Sequence, residues 1–187
     1  GVAILRGLAG IMARFIYTLF LVLLSPLVCC YLLWRSRRQP AYRAHWAERF
    51  GLCFPARPSK PVIWLHAVSV GETRAAAPVI QALQAAHPGH AILLTQMTPT
   101  GRDTARTLFG DNVTICYLPY DFPWAVHRFL QHFRPELGLL METELWPNLL
   151  HTCANRVPLY LINARLSEKS LRGYQRFTAL MSPALQT

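Results

Sequence analysis

Acidic residues are almost absent from the first third of this 187-residue chain. Residues 1–60 contain nine lysines and arginines but a single acid, Glu48, whereas residues 61–187 contain ten basic and eight acidic residues. The net positive charge is therefore concentrated at one end of the chain, and a uniformly basic nucleic-acid-binding protein would not segregate its charge in this way. A basic segment beside an apolar run instead favours contact with an anionic membrane surface.

The chain also lacks cysteine and histidine pairs at metal-binding spacings. Its five cysteines and seven histidines are scattered, with neither a CxxC pair nor an HExxH motif. We therefore expect reduced thiols, no disulfide framework and no metal site. The GxGxxG fingerprint of dinucleotide-binding domains is missing as well, and we expect no bound cofactor.

One long apolar run is present, the twenty uncharged residues 15–34. A helix of about 20 apolar residues can cross a bilayer. Arginines at 35, 37, 38 and 43 follow the run, and the excess of positive charge on that side predicts that the rest of the chain is cytoplasmic. No small-residue cleavage site follows, which disfavours a signal peptide. We expect residues 1–38 to be a membrane anchor with a basic flank, either spanning or half-embedded.

Beyond the anchor, a proline-rich linker at 39–60 with one short helix around 41–49 leads into a regular pattern. Short apolar runs predict buried strands at 62–67, 91–96, 113–118, 137–141 and 159–163. Intervening stretches predict helices at 72–86, 101–109, 123–133, 146–155 and from 167 onward. This alternation predicts an α/β fold over 61–187, a Rossmann-like, doubly wound parallel sheet with right-handed crossovers.

The expected strand order, 3-2-1-4-5, indicates where a ligand would bind. In such sheets the first and fourth strands are neighbours, and ligands bind at their carboxyl ends, where the winding reverses. The segments there are HAVSVGET at 66–73 and METELWPN at 141–148, both polar and both containing carboxylates. The sequence therefore predicts a site between these two segments.

Glu72 has two competing interpretations. Ser69 and Glu72 have the spacing of a capping box, in which both side chains satisfy free backbone donors at a helix start. A glutamate at the end of the first strand could instead act as a general base. Of the two acids after the fourth strand, Glu144 fits a helix-dipole role better, and Glu142 is the expected partner of Glu72 in the crevice.

Two other polar positions have structural interpretations. Thr98 precedes a predicted helix, and we favour helix capping over substrate contact for it. His66 ends the first predicted strand, and we expect it to be packed rather than catalytic.

Several segments, taken together and in order, resemble the Kdo transferases of lipopolysaccharide biosynthesis, where Kdo is 3-deoxy-D-manno-octulosonic acid. The matching segments are PAYRAHWAERFG (40–51), HAVSVGE (66–72), MTPTG (97–101), YLPYD (117–121), METELWPN (141–148) and INARLS (162–167). The resemblance implies an inverting, metal-independent GT-B glycosyltransferase. In that fold the N-terminal domain binds the acceptor and a C-terminal domain binds the nucleotide sugar.

The resemblance further implies transfer of Kdo from CMP-Kdo to a lipid A precursor (lipid IVA) at the inner membrane, with the catalytic domain facing the cytoplasm. By this resemblance Glu72 is the proton acceptor and Glu142 stabilises the transition state. The family is about twice as long, so we expect this chain to be an N-terminal part that is inactive alone. The alternatives are a non-catalytic membrane-anchored remnant and a GT-B transferase for another nucleotide sugar.

Overall fold

The structure is a computed structural model that describes residues 2–141, 146–154 and 156–162, with side chains from residue 10 onward. Its helices are α1 Val2–Ser36, α2 Trp46–Arg49, α3 Val70–Ala86, α4 Pro99–Phe109, α5 Pro123–Phe133 and α6 Pro147–Cys153. Its strands are β1 Val62–His66, β2 Ala91–Gln96, β3 Thr114–Tyr117, β4 Pro135–Leu140 and β5 Leu159–Leu161.

The five strands form one parallel sheet in the order β3-β2-β1-β4-β5. In the register at the centre of the sheet, Leu65 pairs with Leu94 on one side and with Leu139 on the other. The predicted α/β fold, the predicted strand order and the adjacency of the first and fourth strands are confirmed.

Both faces of the sheet are covered by helices, which is why its strands are apolar almost throughout. Ile63 and Leu65 face a core completed by α3 and α4, whereas Val62 and Trp64 face a second core completed by α5 and α6. Gly138 in β4 makes the second core possible. A Cβ there would lie 2.4 Å from the Leu159 side chain and 2.9 Å from the Trp64 ring, so a larger residue would displace both.

Two helices begin two residues earlier than the sequence predicted. Helix α3 begins at Val70 and α4 at Pro99, because Ser69 and Thr98 are their N-caps. The capping role predicted for Thr98 is confirmed by the hydrogen bond that its hydroxyl accepts from the Gly101 amide, at 3.1 Å. The helix expected from residue 167 onward, and both Glu142 and Glu144, lie outside the described residues.

The segment 39–60 packs against the sheet domain. It contains a 3₁₀ turn, Pro40–Arg43, followed by the short helix α2, in which Glu48 and Arg49 are buried. Gly51 follows with a φ of +69°, and a Cβ there would lie 2.6 Å from the Cα of Ala125. Only glycine combines that left-handed backbone with so close an approach to α5.

Helix α1 is long and apolar enough over Gly10–Ser36 to cross a membrane, with a mean hydropathy of 2.3. One face exposes large apolar side chains along its length, among them Leu23 and Leu27. The other face contacts the sheet domain, where the Asn148 side-chain amide donates to Thr18 Oγ1 at 3.0 Å. One face of the helix is thus exposed and the other is packed against the domain, although residues 15–34 are uncharged on both faces.

Candidate functional site

The loop between β1 and α3 holds Glu72 at the carboxyl end of the central strand. The Ser69 hydroxyl accepts a long hydrogen bond from the Glu72 amide, at 3.4 Å, and donates to Glu72 Oε1 at 2.9 Å. Glu72 Oε2 accepts from the Val68 amide at 2.7 Å. The predicted capping interaction is thus present, with the reciprocal bond made to Val68 rather than to the Ser69 amide.

The capping bonds leave part of the Glu72 carboxylate unused. Among the described residues, each of its oxygens accepts a single hydrogen bond, and a carboxylate oxygen offers two lone pairs. The side chain is half-buried, and the neighbouring Gly71 is exposed. The carboxylate is therefore fixed in position by its own loop while it retains acceptor capacity toward solvent.

The two residues that follow β2 hold the Glu72 loop in place. The Val68 carbonyl accepts hydrogen bonds from the Met97 amide at 3.4 Å and from the Thr98 hydroxyl at 3.3 Å. A Cβ on Gly101 would lie 2.6 Å from Gln96 Oε1 and 2.9 Å from Thr98 Oγ1, so a larger residue would displace both hydrogen-bonded side chains. The same residue, Thr98, therefore caps α4 and positions the peptide that holds Glu72.

A buried polar pair fixes the first turn of α3. The Thr73 hydroxyl donates to the Ser69 carbonyl at 2.7 Å and accepts from Gln96 Nε2 at 3.0 Å. Both side chains are fully buried, and in such surroundings satisfied hydrogen bonds rigidify the structure around them. The orientation of the helix that carries Glu72 is thus set by β2.

A second group of charged residues lies at the carboxyl ends of β2 and β3. The Glu48 carboxylate forms a two-pronged ion pair with the Arg102 guanidinium and accepts from the Tyr117 amide at 2.7 Å. Arg49 donates to the Met97 carbonyl at 3.0 Å, and its guanidinium lies 3.8 Å from the centre of the Tyr117 ring. The sequence analysis missed this group. The one available signal was that Glu48 is the only acid among the first 60 residues.

His66 ends β1 and is packed, as predicted. It is 5% exposed, and its Nδ1 lies 2.8 Å from Thr95 Oγ1. Burial lowers its pKa to about 4, so the imidazole is neutral near pH 7. The end of the central strand therefore contributes no charge of its own, and Glu72 is the ionisable group of this loop.

The chain leaves β4 beside the end of β1, where the Met141 amide donates to the His66 carbonyl at 3.0 Å. Glu142 follows directly in sequence but lies outside the described residues, so its placement opposite Glu72 stays a prediction. Helix α6 then begins beside Asp121. The Asp121 carboxylate accepts hydrogen bonds from the Asn148 and Leu149 amides at 2.9 and 2.8 Å. Burial raises the pKa of Asp121, and these two bonds oppose that shift.

All five cysteines are free thiols, and burial raises the pKa of Cys116 and brings that of Cys153 to about 12. In the part of the chain that the structure describes, no three His, Cys, Asp or Glu side chains are grouped so that they could hold a metal ion. At this edge of the sheet the described residues supply the positioned carboxylate of Glu72.

Comparison with known proteins finds similar sequences in several bacteria. The chain is 42% identical over 170 residues to the 3-deoxy-D-manno-octulosonic acid transferase of Haemophilus influenzae, covering 90% of this chain and 40% of that protein. The enzyme of the same name from Bordetella pertussis is 45% identical over 171 residues, covering 86% and 39%. That from Rickettsia bellii is 31% identical over 129 residues, covering 69% and 31%. The chain thus spans about 40% of the length of the first two relatives.

The sequence model of 3-deoxy-D-manno-octulosonic-acid transferase (kdotransferase) matches residues 44–187, which include α2, the whole sheet and the Glu72 loop. A match over this much of the chain, together with the identities above, establishes the relationship. The chain belongs to the 3-deoxy-D-manno-octulosonic-acid transferase family.

Proposed function

We propose that this chain is the acceptor-binding part of a glycosyltransferase that moves Kdo from CMP-Kdo to a hydroxyl of a lipid A precursor, lipid IVA. Family membership supports transfer of Kdo. The observation that carries the proposal is the position of Glu72, a half-buried carboxylate held at the carboxyl end of β1 where β1 and β4 are neighbours. This is the place where doubly wound sheets bind their ligands.

In the proposed reaction Glu72 is the general base. The acceptor hydroxyl gives its proton to the carboxylate as its oxygen bonds to the anomeric carbon of Kdo, and CMP departs with the electrons of the broken bond. This is one displacement, with inversion at the anomeric carbon. Glu142 is proposed to stabilise the transition state, and the C-terminal domain of the complete enzyme is proposed to bind the donor.

The capping bonds of Glu72 support this role. The Val68 amide and the Ser69 hydroxyl each hold one carboxylate oxygen, which fixes the direction of the lone pairs that remain. A base that is already oriented loses no conformational freedom when the acceptor arrives, and such preorganisation lowers the barrier of the chemical step.

The apolar helix supports a place at the membrane. A lipid acceptor stays in the bilayer, so an enzyme that uses it benefits from an anchor such as Gly10–Ser36. Arg37 and Arg38 follow this helix and are exposed. Each such residue contributes about 1 kcal/mol of attraction to anionic headgroups near the surface. We propose the inner membrane as the location, with the sheet domain in the cytoplasm.

The test is Glu72→Gln in a full-length enzyme that contains this segment. We expect the rate of Kdo transfer to fall by roughly 10²–10⁴, the usual contribution of a general base, while the fold is retained. The assay is transfer from CMP-Kdo to lipid IVA, with unfolding followed in parallel. The matched control is Glu136→Gln, because Glu136 is a 45%-exposed carboxylate near the amino end of β4, at the end of the strands away from Glu72.

Two results would contradict the proposal. Near-normal transfer by the Glu72→Gln enzyme would show that Glu72 is not the general base. An equal loss in the Glu136→Gln control would show that activity responds to any change of charge in the domain. Glu142→Gln tests the second role separately, and a fall in kcat with little change in KM is expected of a residue that acts only in the transition state.

A further inference from the structure

A cavity of about 480 Å³ lies between α1 and the sheet domain. On one side it is lined by a face of α1 that includes Leu21, Leu24 and Val28. On the other side it is lined by Phe50, Phe122 and Trp146. Its volume is within the range of about 300–1,000 Å³ that is typical of small-molecule binding sites.

The walls of this cavity suit a hydrocarbon. Aliphatic side chains from α1 face aromatic rings from the domain, and Phe50 and Phe122 stack with centroids 6.4 Å apart. The acid on the lining, Asp121, has both carboxylate oxygens engaged by backbone amides at the start of α6. Tyr17, Ser25 and Tyr120 add polar groups, but the other six of the ten lining residues are apolar, and most of the lining surface therefore suits a hydrocarbon.

The cavity lies beside the exposed apolar face of α1 and at the same end of the sheet as the candidate site. Leu24 lines it, whereas the preceding residue, Leu23, is 67% exposed on the apolar outer face of the same helix. Phe122 follows β3 and Trp146 precedes α6, so the domain wall is built by loops at the carboxyl edge of the sheet. Glu72 lies at that same edge. An amphiphile could thus place its chain in the cavity and its polar end toward Glu72.

We propose that this cavity binds one acyl chain of the lipid acceptor. This inference rests on the function proposed above and specifies which part of the substrate each surface meets. The acceptor is favoured over bulk phospholipid because of charge. Arg35 lies two turns beyond Val28, about 10 Å along the helix, and Arg37 and Arg38 follow the end of the helix, so that basic groups are available there for the phosphates of a phosphorylated sugar lipid.

The direct test is photo-crosslinking on the full chain in nanodiscs of phosphatidylethanolamine and phosphatidylglycerol. The probe is lipid IVA with a diazirine on an acyl chain. We expect labelling of the domain wall at Phe50, Phe122 or Trp146, which bulk lipid on the outer face of α1 does not reach. Leu24→Trp fills the cavity and should lower this labelling about tenfold, because the larger side chain displaces some methylene groups of the acyl chain. Leu23→Trp, one residue away on the exposed face, should leave it unchanged.

Several outcomes would overturn the proposal. Labelling confined to the outer face of α1 would show that the cavity is not entered. Competition by unlabelled phosphatidylglycerol as strong as that by unlabelled lipid IVA would show that the site does not select the acceptor. Val28→Phe narrows the cavity at another position, and undiminished labelling in both this variant and Leu24→Trp would also exclude the site.

A kinetic measurement separates this inference from the proposed function. In the full-length enzyme, Leu24→Trp should raise KM for lipid IVA about tenfold with little change in kcat, and it should not affect a deacylated acceptor. If the wild-type enzyme failed to transfer Kdo while the domain wall was still labelled, the proposed function would be wrong and the acyl site would stand.

Discussion

Glu48 and Glu72 lie at the same edge of the sheet, yet their surroundings differ in almost every respect. Glu48 is 7% exposed, and its carboxylate is saturated by the Arg102 guanidinium, the Tyr117 amide and the His45 ring, whose Nδ1 lies 3.1 Å from Glu48 Oε1. Glu72 is half-buried and is held by two donors of its own loop. A saturated carboxylate can contribute to stability but has no capacity left for a substrate, whereas a partly satisfied one can do chemistry. The edge is thus divided into a structural part and a candidate reactive part.

The largest effect on the free energy of unfolding should come from replacing Glu48, in the structural part. Glu48→Gln leaves the Arg102 guanidinium, which is 5% exposed, without its counterion. Removing one partner of a buried pair costs about 3–5 kcal/mol in the free energy of unfolding. Denaturant unfolding measures it, with the exposed Glu136→Gln as the control, for which we expect less than about 1 kcal/mol. A loss at Glu48 no larger than in the control would erase the distinction between the two glutamates.

The second effect concerns His66, beneath the reactive part. Its pKa is about 4 in the folded chain against 6.5 for the free side chain, so the unfolded chain binds more protons below pH 6.5. Stability is therefore complete above pH 6.5 and falls as the pH drops toward 4. The loss should reach about 2 kcal/mol by pH 5. Unfolding measured between pH 7 and 5 tests this, and His66→Gln should flatten the profile. An unchanged slope in that variant would assign the titration to another group.

The smallest effect should come from the loop of Glu72 itself. Ser69→Ala removes the N-cap of α3 and one of the two donors to Glu72, at a cost of about 1 kcal/mol. For a chain of this size that corresponds to a fall in Tm of about 2–4 °C. Ser69→Thr retains the hydroxyl and should recover most of the loss. A drop as large as that of Glu48→Gln would mean that this loop, too, is primarily structural.

The fold could be predicted because its signals are local and repeated. Buried parallel strands such as β1 and β2 are short apolar runs, and right-handed crossovers then restrict their order to few possibilities. The starts of α3 and α4 were placed late because Ser69 and Thr98, as caps, belong to the loop by sequence and to the helix by hydrogen bonding.

The candidate site could be predicted only in part. The strand order indicated the loop of Glu72, and the spacing of Ser69 and Glu72 indicated their hydrogen bond. The packing of α2 could not be foreseen, because Glu48 meets Arg102 and Tyr117 across 54 and 69 residues of sequence. Such pairs leave no periodic signal in the chain. The catalytic roles of Glu72 and Glu142 stay predictions.

The hydrogen bond between Asn148 and Thr18 joins the first turn of α6 to the middle of α1. A domain attached only at the end of its anchor could swing freely above the bilayer. A domain clasped halfway along the helix keeps a set depth and a set angle relative to it. In bilayers of different thickness the helix adjusts by tilting, the domain tilts with it, and the position of Glu72 relative to the lipid surface follows the angle of the helix.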